Sequence, residues 1–401
     1  MSYRISVMIL TRNYKFRLYP NEVQEKKLQN NLAVCRWVYN KFVEHAKNGF
    51  VSRNDCNYYL TELKQAESWL YNYHSKMLQA VSTQIDGSQK AIMELSKKGH
   101  KTGQLRFCRY SDYRTFTYNQ TGYKFEQCGK HRYLHLSKIG HIEIRLHREI
   151  PANSKIKQVI VTKSKSRKWF ACITLDIQEP LIPKKIFCKC VGIDVGIKSF
   201  TYDSDDNHTP NPRNLQKMLK PLARIQRKVS RRKKGSNNRL KAILHMQRVH
   251  EKISNKRKDF QHKLSTQYAR NNDVVFIERL EKTNMMKNHR LAQSIADASW
   301  GSFVQKLEYK CRMLVQVPAR NTTIDCSRCG NTVPKSLAVR IHKCNKCGLT
   351  SDRDYNASIN ILQKGLKIFN HDKLPQELRK VTLVENPNGS MKQEEIIQFV
   401  G

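Results

Sequence analysis

Apolar and polar residues alternate over residues 14–19 (YKFRLY), the period-two pattern of a half-buried strand, and Pro20 ends it. Asn21 is placed to cap a helix in which Val23, Leu28, Leu32, Cys35 and Val38 recur at roughly helical spacing. More helix is expected from Asn54 to about Ser96, rich in aromatics at Tyr58, Tyr59, Trp69, Tyr71 and Tyr73, until Gly99 breaks it. From about Arg106 the period shortens to two. The segments YLHLSK (133–138), HIEIRL (141–146), KQVIVT (157–162) and KWFACITL (168–175) read as strands. A strand, a helical block and then several strands predict a small β-barrel with a helical insert near its start.

The segment EPLIPKK (179–185) reads as a linker, because its two prolines interrupt any ladder, and a second unit is expected from Ile186. There VGID (191–194) has the apolar run of a buried strand, and FTYDSD (200–205) follows it after the turn at Gly196. Leu215, Leu219, Leu222, Ile225 and Val229 then make a helical stripe, and RRKKGSNN (231–238) reads as the bend of a helical hairpin. DVVFIE (273–278) is a third strand, apolar until it closes on an acid. A helix from about Ser294 to Met313, a cysteine-rich insert and a helix starting near Asp352 complete the pattern. The tail beyond about Asn370, with NPNG and scattered charges, is expected to be unpacked.

Charge narrows the partners. Lys plus Arg number 74 against 33 acids in 401 residues, a formal net charge of +41, and the stretch 213–258 holds seventeen basic residues and one acid, Glu251. Such self-repulsion suits a polyanion, whose phosphates release counterions on binding. The hydrophobic fraction of 39% is enough for globular cores, and no apolar stretch is long enough to span a membrane. The segment MSYRISVMIL is too short and mixed for a signal peptide, so a cytosolic, reducing setting is expected, and the twelve cysteines should be thiols or metal ligands.

Cys326 and Cys329 form one CxxC pair, Cys344 and Cys347 a second, fourteen residues apart. Four thiolates at that spacing close a tetrahedral zinc site with no open position, which is structural rather than catalytic. Gly330 and Gly348 follow each pair, where a tight turn favours positive φ, and His342 is an alternative fourth ligand. Arg328, Lys335, Arg340, Lys343 and Lys346 make the ribbon basic.

Acids are scarce, so an acid inside an apolar strand needs a reason. Asp194 lies within VGIDVG and Glu278 ends DVVFIE, and each costs several kcal/mol to bury unless a cation compensates. In SDRDYNASINIL (351–362), Ser351 or Asp352 can cap a helix, and Asp354, Ala357, Ser358 and Ile361 then share its inward face. Two strand acids and a helix acid are the set with which an RNase H-like fold holds two Mg²⁺ ions for phosphodiester hydrolysis. Each acid alone reads as a cap or an ion-pair residue. Together, in so basic a chain, they point to catalysis.

With these motifs in order, the sequence resembles the TnpB family, encoded with bacterial and archaeal transposons and similar to the type V CRISPR effectors. The resemblance runs from YKFRLYPNEVQEKKLQNNLAVCRWVYNKFVE (14–44) through VGIDVGIKSF, FIERL and the CSRCG–CNKCG ribbon to SDRDYNASINIL. It implies an α/β multidomain fold, with a WED-like β-barrel (1–20 and 105–180) carrying a helical recognition domain (21–104). A RuvC-like nuclease domain (186–320 and 350–370) follows, interrupted by the zinc ribbon (321–349), and 371–401 is a disordered tail. It implies an RNA-guided DNA endonuclease that takes a guide RNA from the transposon end and cuts double-stranded DNA beside a short adjacent motif, in the prokaryotic cytoplasm at the nucleoid. Catalysis and Mg²⁺ (two ions) would fall to Asp194, Glu278 and Asp354, and one structural Zn²⁺ to Cys326, Cys329, Cys344 and Cys347. Nucleic-acid contacts are assigned to Lys76 and Gln79 in the helical block and to Arg231, Arg232, Lys233 and Lys234 in the hairpin bend. Departures are mild: Tyr355 and Ser358 stand where the family carries small or varied residues, and an extension precedes its usual start, making Met8 a candidate initiator. The alternative is a nucleic-acid-binding accessory transposition factor or guided repressor that does not cut.

Overall fold

The computed structural model describes residues 7–180, 189–280, 285–336 and 339–372. It separates into two units, residues 1–183 and 184–401. The linker segment beyond Pro180, Cys188 and the tail after Asp372 lie outside the described residues.

In the first unit a long strand, β1 (Val7–Tyr19), leads into three helices, α1 (Glu22–His45), α2 (Arg53–Ala66) and α3 (Ser75–Lys97). Six strands follow: β2 (Thr115–Asn119), β3 (Tyr123–Cys128), β4 (His131–Leu136), β5 (Gly140–Arg145), β6 (Ser154–Lys163) and β7 (Trp169–Pro180). Asn21 caps α1 in a reciprocal box, accepting from the Gln24 amide at 2.8 Å while Gln24 Oε1 accepts from the Asn21 amide at 3.0 Å. The single helix expected from Asn54 to Ser96 is interrupted by a 3₁₀ turn at Ser68–Asn72. Tertiary packing accounts for the break: Trp69 leaves the helical path to meet Trp37 of α1 edge-on at 5.3 Å, with Tyr73 edge-on to it at 6.2 Å.

The strands form an antiparallel sheet in the order β2-β6-β7-β1-β5-β4-β3. β1 starts earlier than its alternation suggests because β7 pairs with it all the way from Val7↔Pro180 to Leu18↔Trp169. The edge strands β2 and β3 are consecutive and joined by residues 120–122, so the sheet must curl to bring its two ends together. No ladder joins them among the described residues. The expected barrel is therefore a half-barrel, its seam bridged by side chains such as Tyr123, whose hydroxyl donates to the Ile156 carbonyl at 3.0 Å. Phe16, Leu18, Leu134, Ile142, Val159 and Ile173 of the sheet share one core with Leu28, Val38, Leu60 and Leu78 of the helices.

The second unit is built on a five-stranded sheet, β10-β9-β8-β11-β12 in spatial order. The strands are β8 (Cys190–Val195), β9 (Ser199–Asp203), β10 (His208–Pro210), β11 (Val274–Arg279) and β12 (Met313–Pro318), with β8, β11 and β12 parallel. Between β10 and β11 runs the basic hairpin, α4 (Leu219–Ser230) and α5 (Asn237–Asn271), turned by Gly235 at φ +82°. Only Leu222 and Val229 of its expected stripe are fully buried, so most of α4 faces water. The helix expected over 294–313 is two helices, α6 (His289–Ala298) and α7 (Trp300–Lys310), broken at Ser299, whose φ of 55° is left-handed, and Met313 already belongs to β12. Two short strands, β13 (Ile341–Lys343) and β14 (Thr350–Asp352), precede the last helix, α8 (Arg353–Asp372).

The sheet buries both faces. Val191, Ile193, Val275 and Ile277 pack with Leu264, Phe303 and Leu307 of α5 and α7. Val274, Phe276 and Val317 pack with Ile361, Leu362 and Leu366 of α8. On this second face two glycines set the distance. A Cβ at Gly192 of β8 would collide with the Ser358 carbonyl and lie 2.6 Å from the Leu362 amide nitrogen, and one at Gly365 of α8 would fall inside the Phe276 ring. Both positions need glycine for close approach rather than for conformational freedom. Among the described residues no helix is long and apolar enough to cross a membrane.

Gly192→Ala should therefore lever α8 off the sheet and destabilise the second unit by about 1–3 kcal/mol, the usual cost of overpacking. Thermal unfolding checks this; a transition unchanged from wild type would mean that α8 does not rest on β8.

Candidate functional site

Parallel pairing aligns β8 and β11 through Val274↔Cys190 to Ile277↔Ile193, so Asp194 and Glu278 come next on both strands, at the carboxyl end of the sheet. That end of a parallel sheet is where such folds place their ligands. The first turn of α8, held down at Gly192, brings Asp354 to the same place. Asp194 is only 8% exposed and Asp354 only 9%. Burial drives the Asp194 carboxyl well above the ordinary range, and the neighbouring Glu278 and Asp354 push it further, against the pull of Arg353. Glu278 is raised by burial too, opposed by the hydroxyl of Thr322, which donates to Oε1 at 2.9 Å, and by Lys364. Asp354 accepts from Arg353 at 3.1 and 3.2 Å and faces Arg340 at 3.7 Å. Asp352 is exposed, and its Oδ1 accepts the Asp354 amide at 2.8 Å, which makes it the cap of α8.

The donor set fits divalent magnesium. Glu278 and Asp354 both destabilise the buried Asp194 as an anion, although among the described residues the four cysteines are the one group whose ligand atoms already stand close enough together to hold an ion. A hard, oxygen-seeking cation reverses that sign.

The four cysteines stand together. Cys326 Sγ is 3.6 Å from Cys347 Sγ, Cys329 Sγ is 3.6 Å from Cys344 Sγ, and all four sulfurs lie within 4.8 Å of one another. A Zn–S bond of about 2.3 Å gives a tetrahedron with edges of about 3.8 Å, so the cage fits zinc. The two knuckles repeat one design. Gly330 N donates to Cys326 O at 2.9 Å and Gly348 N to Cys344 O at 3.0 Å, with φ of +72° and +74° at the two glycines. Among the four thiols, the amides of Cys347 and Lys346 draw Cys344 down to about 6, while burial pushes Cys326 up to about 12. His342 is fully buried in β13 and is not among these ligands; it contacts Lys335 Nζ instead.

What ties the ribbon to the acids is a polar stripe of α8 that composition does not flag. Asn356 donates to Asp325 O at 2.8 Å and accepts from the Ser327 amide at 2.9 Å. One turn on, Asn360 donates at 2.8 Å to both Thr322 O and Asp325 O, and Gln363 reaches Ser327 O at 2.9 Å. The i, i+4 asparagines in DYNASIN were the available signal. Thr322 carried none, and Arg340 stood out only as one basic residue of the ribbon, because their contacts with the acids appear only when the insert folds back.

The candidate nucleic-acid residues lie apart from this centre in the chain. In the first unit Lys76 is exposed and Gln79 half-buried on the first turns of α3. In the hairpin bend Arg231, Lys233 and Lys234 are exposed, while Arg232 is turned back onto the Asn238 carbonyl.

Three family profiles match the chain: OrfB_IS605 ("Probable transposase") over residues 173–289, the Cas12f1-like TNB domain over 300–361, and the OrfB_IS605 helix-turn-helix domain over 8–52. The last stretch is here a strand, one α-helix and a single 3₁₀ turn. A protein of Streptomyces pristinaespiralis that carries the name RNA-guided DNA endonuclease is 33% identical over 373 residues, 88% of this chain and 89% of that one. The Escherichia coli K12 protein named RNA-guided DNA endonuclease InsQ is 28% identical over 382 residues, 88% of this chain and 92% of its own. Among solved structures, a Cas12f1–sgRNA–target DNA complex aligns over 88% of this chain and 98% of that one at a TM-score of 0.48 and 15% identity. A mini-RNA-guided endonuclease, CRISPR-Cas_phi3, aligns over 89% and 92% at 0.49 and 9%.

Replacing Cys329 with Ser should abolish zinc retention, taking the purified protein from one zinc per chain to near zero, and should lower the thermal transition of the second unit. Stoichiometric zinc in the variant, by atomic absorption, would contradict the cage.

Proposed function

The chain belongs to the TnpB (IS605 OrfB) family, and on that premise we propose that it is an RNA-guided DNA endonuclease whose reaction centre is Asp194, Glu278 and Asp354. The observation that carries this reading is that Glu278 and Asp354 both act on the buried Asp194 at the carboxyl end of the sheet, in a chain of net charge +41. In this reading the second unit is a RuvC-like nuclease domain, split by the zinc ribbon at 321–349. The half-barrel and its inserted helices are the WED-like and recognition parts. The partners are a guide RNA from the transposon end and a double-stranded DNA target, met in the cytoplasm at the nucleoid.

The three carboxylates would hold Mg²⁺, most naturally as two ions, which when bound supply an activated water and charge stabilisation for phosphodiester hydrolysis. The protein's own groups have separable tasks. Asp194, flanked by two like charges, stands at the centre of the donor set. Thr322 fixes the Glu278 carboxylate by its donated hydrogen bond. Arg353 and Arg340 pair with Asp354 and orient its carboxylate. Zinc does no chemistry here; it closes the insert that delivers Thr322 and Arg340.

Two measurements test the proposal. Asp354→Ala should abolish Mg²⁺-dependent cleavage while leaving guide and target binding intact. Asp352→Ala should cost about 1 kcal/mol of helix stability through the lost cap and still cut. If both variants cut like wild type, the centre is misassigned. The protein should also purify with a discrete RNA and bind it with an affinity that falls by orders of magnitude over a few-fold rise in salt. Salt-independent binding, or a random RNA mixture, would favour a generic binder that is not guided.

A further inference from the structure

We propose that Tyr202 and Tyr355 form a stacking wall for one unpaired nucleobase of the strand being cut, beside the scissile phosphodiester. They would then be positioning residues of the reaction rather than packing residues. The inference rests on the nuclease reading of Asp194, Glu278 and Asp354 and adds the means by which the strand is seated there.

The sheet register makes the case first. Asp194 of β8 pairs with Tyr202 of β9, and Tyr202 pairs with His208 of β10. Direct partners in an antiparallel ladder share a face. Carboxylate, phenol and imidazole therefore form one row, running from the acid centre to the open edge of the sheet at β10. Tyr355 follows Asp354 on α8 and completes the wall from above, its ring centroid 5.9 Å from that of Tyr202 with planes at 46°. Tyr202 and His208 lie 5.7 Å apart at 31°.

These rings are not core. Tyr202 and Tyr355 are half-buried and His208 is exposed. The Tyr202 hydroxyl donates to Asp206 at 2.7 Å, which fixes its ring, whereas the Tyr355 hydroxyl finds no protein partner among the described residues.

Charge decides what the wall takes. Its polar surroundings are acidic: Asp205 and Asp206 lie in the turn that follows β9, and Lys189 is paired to Asp205 at 3.4 Å. A phosphate is repelled there, but a neutral base with a π-face is not. Stacking of this kind tolerates every base and selects for unpaired ones, since a paired base cannot present its face to a ring.

The test uses the full chain with its bound RNA and DNA targets carrying a single abasic nucleotide at successive positions around the cut. In wild type, one abasic position should reduce kcat/KM roughly ten- to a hundredfold, the usual worth of one stacked base. Tyr355→Ala should lose the same factor on intact DNA and nothing further on that abasic substrate, and Tyr355→Phe, which keeps the π-face, should recover most of the rate. Zinc content and guide-RNA binding should match wild type throughout. If Tyr355→Ala cuts intact DNA at the wild-type rate, or if the protein and DNA losses multiply, no base rests on this ring. Loss in Tyr355→Phe equal to that in Tyr355→Ala would assign the effect to the hydroxyl and overturn the proposal as well. A 2-aminopurine at the sensitive position, read by its quenching on binding to Asp194→Ala protein, scores the stacking apart from the cutting. Quenching that Tyr355→Ala removes supports the wall; absence of quenching refutes it. Cleavage by Asp194→Ala alone would refute the nuclease reading instead.

Discussion

Helix α8 lies directly on strand β8, backbone against backbone, because Gly192 has no side chain to hold it away and Gly365 leaves room for the Phe276 ring. That contact fixes more than packing. It sets Asp354 beside Asp194, points Ala357, Ser358 and Ile361 into the sheet, and leaves the neighbouring stripe of α8 free for Asn356, Asn360 and Gln363. A methyl group at Gly192 would move all of these together, since a helix tilts as a rigid body and interiors packed to crystal density cannot absorb the shift locally. The separation of the acids is thus a property of helix–sheet packing, set by two residues that bear no functional group.

The zinc ribbon extends the same constraint. It is inserted between β12 and α8, and it would drift from the sheet if only its ends held it. Two asparagines one helical turn apart dock its first knuckle onto α8 through backbone carbonyls and an amide, contacts that require the knuckle to hold its shape. The metal cage supplies that shape. In return the insert brings Thr322 to Glu278 and Arg340 to Asp354. The cysteine cluster and the three acids are thereby mechanically linked through α8.

Much of this could be read along the chain, and the rest fails to read for physical reasons. Asp194 and Glu278 stood out because an acid ending an apolar run is costly, and the cysteine pairs because their spacing has few other uses. The cap by Asp352 followed from helix-end chemistry. The break at Trp69 did not, because it depends on an aromatic partner 32 residues away, and neither did the early start of β1, which depends on the length of β7. The unclosed ladder between β2 and β3 depends on how far a seven-stranded sheet curls, which alternation does not encode. Strand β12 was missed because Met313–Pro318 is too short to show its own period, the expected helix overrunning only its first residue, and Ser299 in a left-handed conformation gives no compositional warning. Asp203, a third acid in an apolar strand, shows the limit of the cost argument. It is buried but satisfied by the amides of Asp205 and Asn207 and by the Tyr268 hydroxyl, so it needs no cation.

Asp203 and Asp194 differ in how their burial is compensated. Both are buried, and burial raises both carboxyls. Asp203 recovers the cost through fixed N–H and O–H donors, whereas Asp194 faces two further carboxylates, against which only the Arg353 charge and one backbone amide, that of Val195, act. A neutral, protonated Asp194 would remove the repulsion but also the reason for assembling three acids in one place. The chain carries +41 overall, and the acids themselves have Arg340, Arg353 and Lys364 beside them. The wide field draws a polyanion to the surface, and the three carboxylates gather cations where its backbone must be met. Neither alone accounts for the composition; an acid-poor chain that spends three of its acids on one buried point needs both.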